Sequence, residues 1–141
     1  MKKDCIFCKI IEGEIQANKI FEDEETLAFL DAHPLARGHT LVIPKTHISK
    51  FEELPGREAE TLFKNIHTLV PKIQRAVEAP SSTIAINNGP ESGQEIPHVH
   101  VHIIPRFKGD EGGPIHSIMK RKPPLPQEEM KKIAQKIRSL L

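Results

Sequence analysis

The sequence predicts an α+β domain: an antiparallel sheet of about five strands, one main central helix and a C-terminal helix. Three observations carry that expectation. Short runs of β-branched and alternating residues recur along the chain, bounded by Gly, Pro and acidic turns. One long stretch between them, from about Gly56 to Ala79, repeats apolar residues at helical spacing. The stretch His98-Val-His-Val-His102-Ile-Ile-Pro105 alternates imidazoles with apolar residues, a period of two that suits a strand and scatters around a helix.

In chain order, Cys5 and Cys8 open the sequence, and Gly13 punctuates a short helical turn after them. Asn18–Glu22 and Thr26–Asp31 read as a strand pair turning at Asp23-Glu24-Glu25. A loop with Pro34 and Arg37-Gly38 leads into His39–Pro44, a third and largely buried strand that Pro44 ends. Leu62, Ile66, Leu69, Val70, Ile73 and Val77 then make one face of an amphipathic helix. Pro71 interrupts it, and since an interior proline costs about 3 kcal/mol, a kink or two shorter helices is expected. His67 reads as a helix-surface residue. Ser82–Asn87 is a fourth strand; the Gly-rich run 88–93 returns it antiparallel into the histidine strand and can offer backbone N–H groups to an anion. Past Pro105 the chain turns polar, then basic at Lys120-Arg121-Lys122, read as a solvated run. Prolines at 123, 124 and 126 form a connector to a helix whose stripe of Met130, Ile133, Ala134, Ile137 and Leu140 should dock on the sheet or a partner.

Composition narrows the function. At 141 residues the chain is read as one domain, with a core at about 5–110 and a C-terminal extension and helix at about 111–141. A net charge of +1, spread over both signs, disfavours non-specific nucleic-acid binding. No apolar run reaches the roughly 20 residues of a membrane span, and the N-terminus lacks a signal-peptide core, so a cytoplasmic protein is expected. In a reducing compartment Cys5-x-x-Cys8 is a metal half-site or a redox pair. The long helix of a thioredoxin-like motif does not follow, and histidines are to spare, which favours metal.

The imidazoles carry the chemistry. As a strand, His98, His100 and His102 project from one face at intervals of roughly 6.6 Å, with Val99, Val101 and Ile103 toward the core. Neither a Ser nucleophile elbow nor a P-loop pattern is present, so imidazole is the residue type best suited to attack an electrophile. Three imidazoles at i, i+2 and i+4 span about 13 Å on a flat strand and converge poorly on one ion, which counts against a catalytic zinc held by them.

His98-Val-His-Val-His102-Ile-Ile resembles the His-x-His-x-His-x-x signature of the histidine-triad (HIT) superfamily. Ile6-Phe7, Ile20–Asp23, Ala28–Asp31, His39 through Pro44-Lys45-x-His47 and Gly89–Gln94 resemble family segments in the same order, over about Cys5 to Asp110. The resemblance implies a nucleotide hydrolase or transferase acting at the α-phosphorus of purine nucleoside 5′-phosphate derivatives through a nucleotidyl-histidine intermediate. By it, His100 is the nucleophile, His102 contacts the phosphate and leaving group, and His39 orients or relays protons. Asp31 accepts the ribose hydroxyls; Ile6, Phe7, Ile10, Phe29, Leu30 and the backbone of Ala32 wall the base pocket. Asn87, Gly93, Gln94 and Glu95 surround the phosphate with His100 and His102.

Cys5, Cys8, His47 and His98 match the zinc site of a bacterial branch of the family and of related uridylyltransferases. Two thiolates and two imidazoles also make a closed tetrahedral shell, so one structural Zn²⁺ per protomer is implied. A homodimer is implied as well. Asn87 resembles the phosphoramidase (Hint-like) branch, whereas Gly89–Gln94 and the 105–110 run resemble the dinucleoside-polyphosphate (Fhit-like) branch, and the chain lacks the C-terminal Trp of eukaryotic Hint proteins. Two contrasting functions stand beside hydrolysis: a nucleotide-binding scaffold with little turnover, which would tolerate loss of His100, and a purely structural zinc module without nucleotide affinity.

Overall fold

The computed structural model describes residues 2–141, which fall into two compact units, one ending at Asp110 and the other Glu111–Leu141. The first unit runs α1 (Ile6–Ile11), β1 (Lys19–Glu22), β2 (Thr26–Leu30), β3 (Thr40–Pro44), α2 (Gly56–Val77), β4 (Ser81–Ala85) and β5 (Val101–Arg106). The strands form one five-stranded sheet in the order β1-β2-β3-β5-β4, with every neighbouring pair antiparallel. β5 lies between β3 and β4, and the chain crosses from one to the other through α2.

Local chemistry explains the turns. Asp23 Oδ1 accepts the backbone N–H groups of Glu25 (2.9 Å) and Thr26 (2.7 Å), closing the β1–β2 hairpin in the way short polar side chains favour. Gly38 has φ +82°, and a Cβ there would sit 3.0 Å from Val77 Cγ1 and 3.3 Å from Pro105 Cγ, so both conformation and space demand glycine just before β3.

Strand alternation divides the core in two. Ala28, Val42, Val99, Val101 and Ile103 pack with Leu62, Ile66, Leu69 and Ile73 of α2. Leu27, Phe29, Leu41 and Ile43 pack with Cys5, Phe7, Cys8 and Ile10 of the N-terminal helix. A side chain's position along a strand therefore decides which helix it meets.

Three expectations change. The ladder of β5 begins only at Val101; His98 lies in a bend and His100 in extended chain before it, because that stretch packs against Ile48, whose carbonyl accepts the Val99 N–H (2.8 Å), rather than entering the β3 ladder. Asn18 likewise precedes β1, and Asp31, His39, Asn87 lie outside their strands as loops take over one or two residues early. α2 continues through Pro71 as one helix instead of two. Pro71 and His67, whose carbonyl loses its i+4 donor, are both exposed, so water can satisfy that carbonyl while the buried stripe continues on either side. Pro71→Ala is accordingly expected to stabilise the protein by about 1–2 kcal/mol, read as a higher urea midpoint; a lower midpoint would show that proline suits this turn.

The second unit holds α3 (Gln127–Leu140) after an extended Pro-rich segment. Met130, Ile133, Ile137 and Leu140 of its stripe are all exposed. No helix among the described residues is long and apolar enough to cross a membrane.

Candidate functional site

Two clusters of chemistry-bearing side chains lie on the α1 side of the sheet. The first joins Cys5, Cys8, His47 and His98, whose potential ligand atoms all lie within 4.8 Å of one another. Cys5 caps α1 and its Sγ accepts the Cys8 N–H (3.5 Å), so the short helix delivers both sulfurs to one point. Cys5 Sγ is 3.5 Å from His98 Nδ1, and Cys8 Sγ is 3.3 Å from His47 Nδ1 and 3.7 Å from His98 Nδ1. A tetrahedral ion with metal–S of about 2.3 Å and metal–N of about 2.0–2.1 Å sets S···N near 3.5 Å, so the four side chains can hold a metal with little movement.

Tautomers support that fit. His98 Nε2 lies 2.8 Å from the Pro44 carbonyl, an acceptor only, so Nε2 carries the proton and Nδ1 turns its lone pair to the sulfurs. Burial pushes the His98 pKa down to about 4 and that of His47 below its usual value, keeping both rings neutral as ligands; burial raises the Cys8 thiol, so a metal must displace its proton.

The second cluster is Asp31, His39, His100 and His102. His102 pairs with Leu41 across the β3–β5 ladder, and directly paired residues share a face, so its ring stands on the α1 side. His100 Nδ1 donates to the His98 carbonyl at 2.7 Å, which leaves the lone pair of a neutral ring on Nε2. The Leu35 N–H donates to His39 Nδ1 (3.0 Å); His39 Nε2 therefore carries a proton and donates it to His102 Nδ1 (2.9 Å). The proton of neutral His102 is then on Nε2. The rings of His100 and His102 are 5.1 Å apart, edge to face, so a ring with a lone pair on Nε2 adjoins a ring with an N–H on Nε2. Asp31 Oδ2 is 3.6 Å from His39 Nε2.

Asp31, His39 and His102 also lie close enough to suggest a metal centre. The hydrogen bonds argue otherwise: the Leu35 amide occupies the His39 Nδ1 lone pair, so Nε2 keeps its proton and has no lone pair for an ion unless the ring becomes an imidazolate.

Burial lowers the His39 pKa against the pull of Asp31, and takes His102 to about 4, with His100 and His39 adding to the effect. The unfolded chain, with His near 6.5, binds more protons than the folded protein between about pH 6.5 and 4, so stability falls as pH drops through that window. The urea midpoint should therefore be lower at about pH 5 than at about pH 7.5, with a smaller drop in His102→Gln. Equal midpoints would contradict neutral burial.

The remaining residues singled out in the sequence surround these clusters. Phe7 sits edge-on to Phe29 (5.7 Å), His98 (5.8 Å) and His100 (5.1 Å), so the N-terminal helix reaches both clusters through one ring. Ile10 is buried with it, whereas Ile6 (43%) and Leu30 (37%) keep exposed surface and Ala32 is exposed. A cavity of about 360 Å³ is lined by Leu30, Asp31, Pro34 to Gly38 and His39, and one of about 290 Å³ by Cys5, Ile6, His47 and Glu95 among others. Gln94 braces its loop: Oε1 accepts the Gly89 N–H (2.8 Å) while Nε2 donates to the carbonyls of Ser49 (2.8 Å) and Ile96 (3.0 Å). Both its amide hydrogens are used inside the protein. Asn87, Gly93 and Glu95 are exposed beside it.

A family model described as the HIT domain matches residues 12–109. The chain belongs to the HIT family. Among HIT relatives, the protein hit of Bacillus subtilis is 47% identical over 80% of this chain and 79% of its own length. An adenosine 5′-monophosphoramidase of Schizosaccharomyces pombe is 41% identical, covering 72% of this chain and 74% of that protein. An adenylylsulfatase of Arabidopsis thaliana is 40% identical, covering 78% of this chain and 56% of that protein. A crystal structure of a HIT family member from B. subtilis superposes with a TM-score of 0.87 at 37% identity, covering 99% of this chain and 98% of that one. A zinc-bound histidine triad protein from Mycobacterium smegmatis gives 0.73 at 32%, covering 97% and 95%. The five-stranded sheet with its central helix is thus the HIT fold, and hydrolysis of nucleotide derivatives is the activity of this family at the general level.

Several groups that shape this HIT site were not apparent from residue types. The Leu35 amide, the Pro44 carbonyl and the His98 carbonyl act through main chain, which every residue has. Asn88, beside the expected Asn87, accepts the Phe51 N–H (2.9 Å) and donates to Glu52 (2.8 Å), tying the Gly-rich loop to the turn before α2; its place in an Asn-Asn-Gly run was the available signal.

Proposed function

We propose that this HIT protein hydrolyses purine nucleoside 5′-phosphoramidates, and less readily dinucleoside polyphosphates, at the α-phosphorus. The observation that carries this reading is a pair of adjacent rings, 5.1 Å apart, whose Nδ1 hydrogen bonds leave a lone pair on His100 Nε2 and an N–H on His102 Nε2. His100 Nε2 attacks phosphorus, and the bond to the leaving group breaks with its electron pair going to the departing atom. That atom accepts a hydrogen bond from His102 Nε2–H and takes up one proton from solvent, so that a phosphoramidate nitrogen leaves as ammonia. Water then attacks the phosphorus of the nucleotidyl-histidine, releasing one proton to solvent. The P–N bond breaks with its electron pair returning to His100, and the nucleoside monophosphate leaves. Asp31 receives the ribose hydroxyls; Ile6, Phe7, Ile10, Phe29, Leu30 and Ala32 hold the base; and the loop of Asn87, Gly93, Gln94 and Glu95 approaches the phosphate. Gln94 supports that loop chiefly as its brace.

Cys5, Cys8, His47 and His98 hold one Zn²⁺ per protomer in this reading. Four protein ligands fill its shell, so the ion supplies rigidity and leaves no open position for water. The protein acts in the cytoplasm as a homodimer, a single HIT domain extended by residues 111–141, without nucleic-acid or membrane partners.

The test is AMP release from adenosine 5′-phosphoramidate beside diadenosine tetraphosphate. The phosphoramidate is expected to turn over faster, in keeping with the S. pombe relative. If neither compound is cleaved while AMP still binds, a nucleotide-binding scaffold replaces the enzyme.

A further inference from the structure

We propose that the main-chain N–H of Leu35 is a positioning group that sets the direction of the His39–His102 hydrogen-bond chain, and so decides that a donor faces the leaving group. The inference rests on the function proposed above and adds a determinant of leaving-group preference.

A neutral imidazole has one donor and one acceptor nitrogen, and a chain of two can run either way. Nothing in a His–His pair chooses. A group that can only donate, fixed at one end, does. The Leu35 N–H at 3.0 Å from His39 Nδ1 is that group. With the chain running in the direction that the Leu35 N–H sets, His102 Nε2 bears hydrogen; reversed, it would turn a lone pair toward the electron-rich departing atom and phosphate oxygens.

The loop holding this amide is fixed from several sides. The Asp31 N–H donates to the His39 carbonyl (2.9 Å), the His39 N–H donates to the Ala36 carbonyl (3.1 Å), and Asp31 Oδ1 accepts the His33 N–H (2.8 Å). Gly38 sits close against Val77 and Pro105, and Pro34 restricts the backbone just ahead of residue 35. The Leu35 side chain, by contrast, is 76% exposed, so the residue serves the cluster through its amide.

The test replaces the Leu35 amide by an ester, incorporating the α-hydroxy acid analogue of leucine, with Leu35→Ala as the variant that keeps the N–H. Nitrogen-15 spectra of the histidine rings report tautomers directly. Wild type and Leu35→Ala should show both His39 and His102 protonated at Nε2. In the ester variant an oxygen faces His39 Nδ1, so that nitrogen should take the proton and reverse the chain. Turnover of adenosine 5′-phosphoramidate, whose nitrogen needs a donor to leave, should fall about tenfold or more, while the p-nitrophenyl ester of AMP, whose phenolate leaves unaided, should change less than about threefold. The proposal is overturned if the ester variant keeps both rings protonated at Nε2, or if both substrates slow equally. Should wild type cleave neither substrate, the proposed function fails, and the ring spectra still decide whether Leu35 sets the tautomers.

Discussion

His100→Ala is expected to lower turnover of adenosine 5′-phosphoramidate by about 10³-fold or more, while AMP affinity changes by less than about tenfold. The large effect follows from the geometry. His100 is the one ring of the cluster whose Nδ1 proton is committed to a backbone carbonyl, which leaves the Nε2 lone pair of the neutral ring for attack, with the His102 ring 5.1 Å away. His102 cannot replace it, because its Nδ1 lone pair receives the His39 proton and its Nε2 is protonated. Binding is expected to be less sensitive because the residues proposed to hold the nucleoside, Asp31 and the apolar side chains of α1 and β2, are unchanged. Steady-state kinetics and calorimetric titration with AMP check the two halves separately. Turnover within tenfold of wild type would assign the nucleophile elsewhere.

Cys5→Ser is expected to reduce bound zinc well below one ion per protomer and to lower the melting temperature by roughly 10 °C, with AMP affinity changed less. Structural zinc contributes about 10–16 kcal/mol in small peptides that are unfolded without it. Here α1 also packs through Phe7 and Ile10, so only part of such a stabilisation, about 3 kcal/mol, is at stake. Serine is a poor zinc ligand, and it also weakens the cap that Cys5 Sγ gives the Cys8 N–H. Metal analysis and thermal melts of both forms, with and without chelator, make the comparison. Unchanged zinc content would remove Cys5 from the ligand set.

Much of this architecture was legible in the residue pattern, for identifiable reasons. Period-two alternation puts Val99, Val101 and Ile103 toward the core, and the spacing of Leu62, Ile66, Leu69 and Ile73 predicts an amphipathic helix; that the two faces meet is seen only in the fold. Cys5-x-x-Cys8 and the spare histidines pointed to the cluster the fold assembles, although His47 and His98 lie about 40 and 90 residues from Cys8. What pattern could not supply was the point at which pairing stops. His98 and His100 fit a strand by sequence, yet their neighbourhood bonds to the segment around Ile48 instead of β3. Proline rules alone overstate the break at Pro71, because the local cost is opposed by the stripe that buries both halves of α2. The tautomers lay further from reach, since each is decided by a main-chain group that only tertiary structure brings to the ring.

The most direct measurement is to quench the wild-type protein during turnover of adenosine 5′-phosphoramidate under alkaline conditions, which preserve a phosphorus–histidine bond, and to map the nucleotidyl group by peptide mass spectrometry. A bond at His100, formed and lost at rates matching turnover, is the result predicted. Steady turnover with no protein-bound nucleotide, or with the nucleotidyl group on another residue, would contradict it.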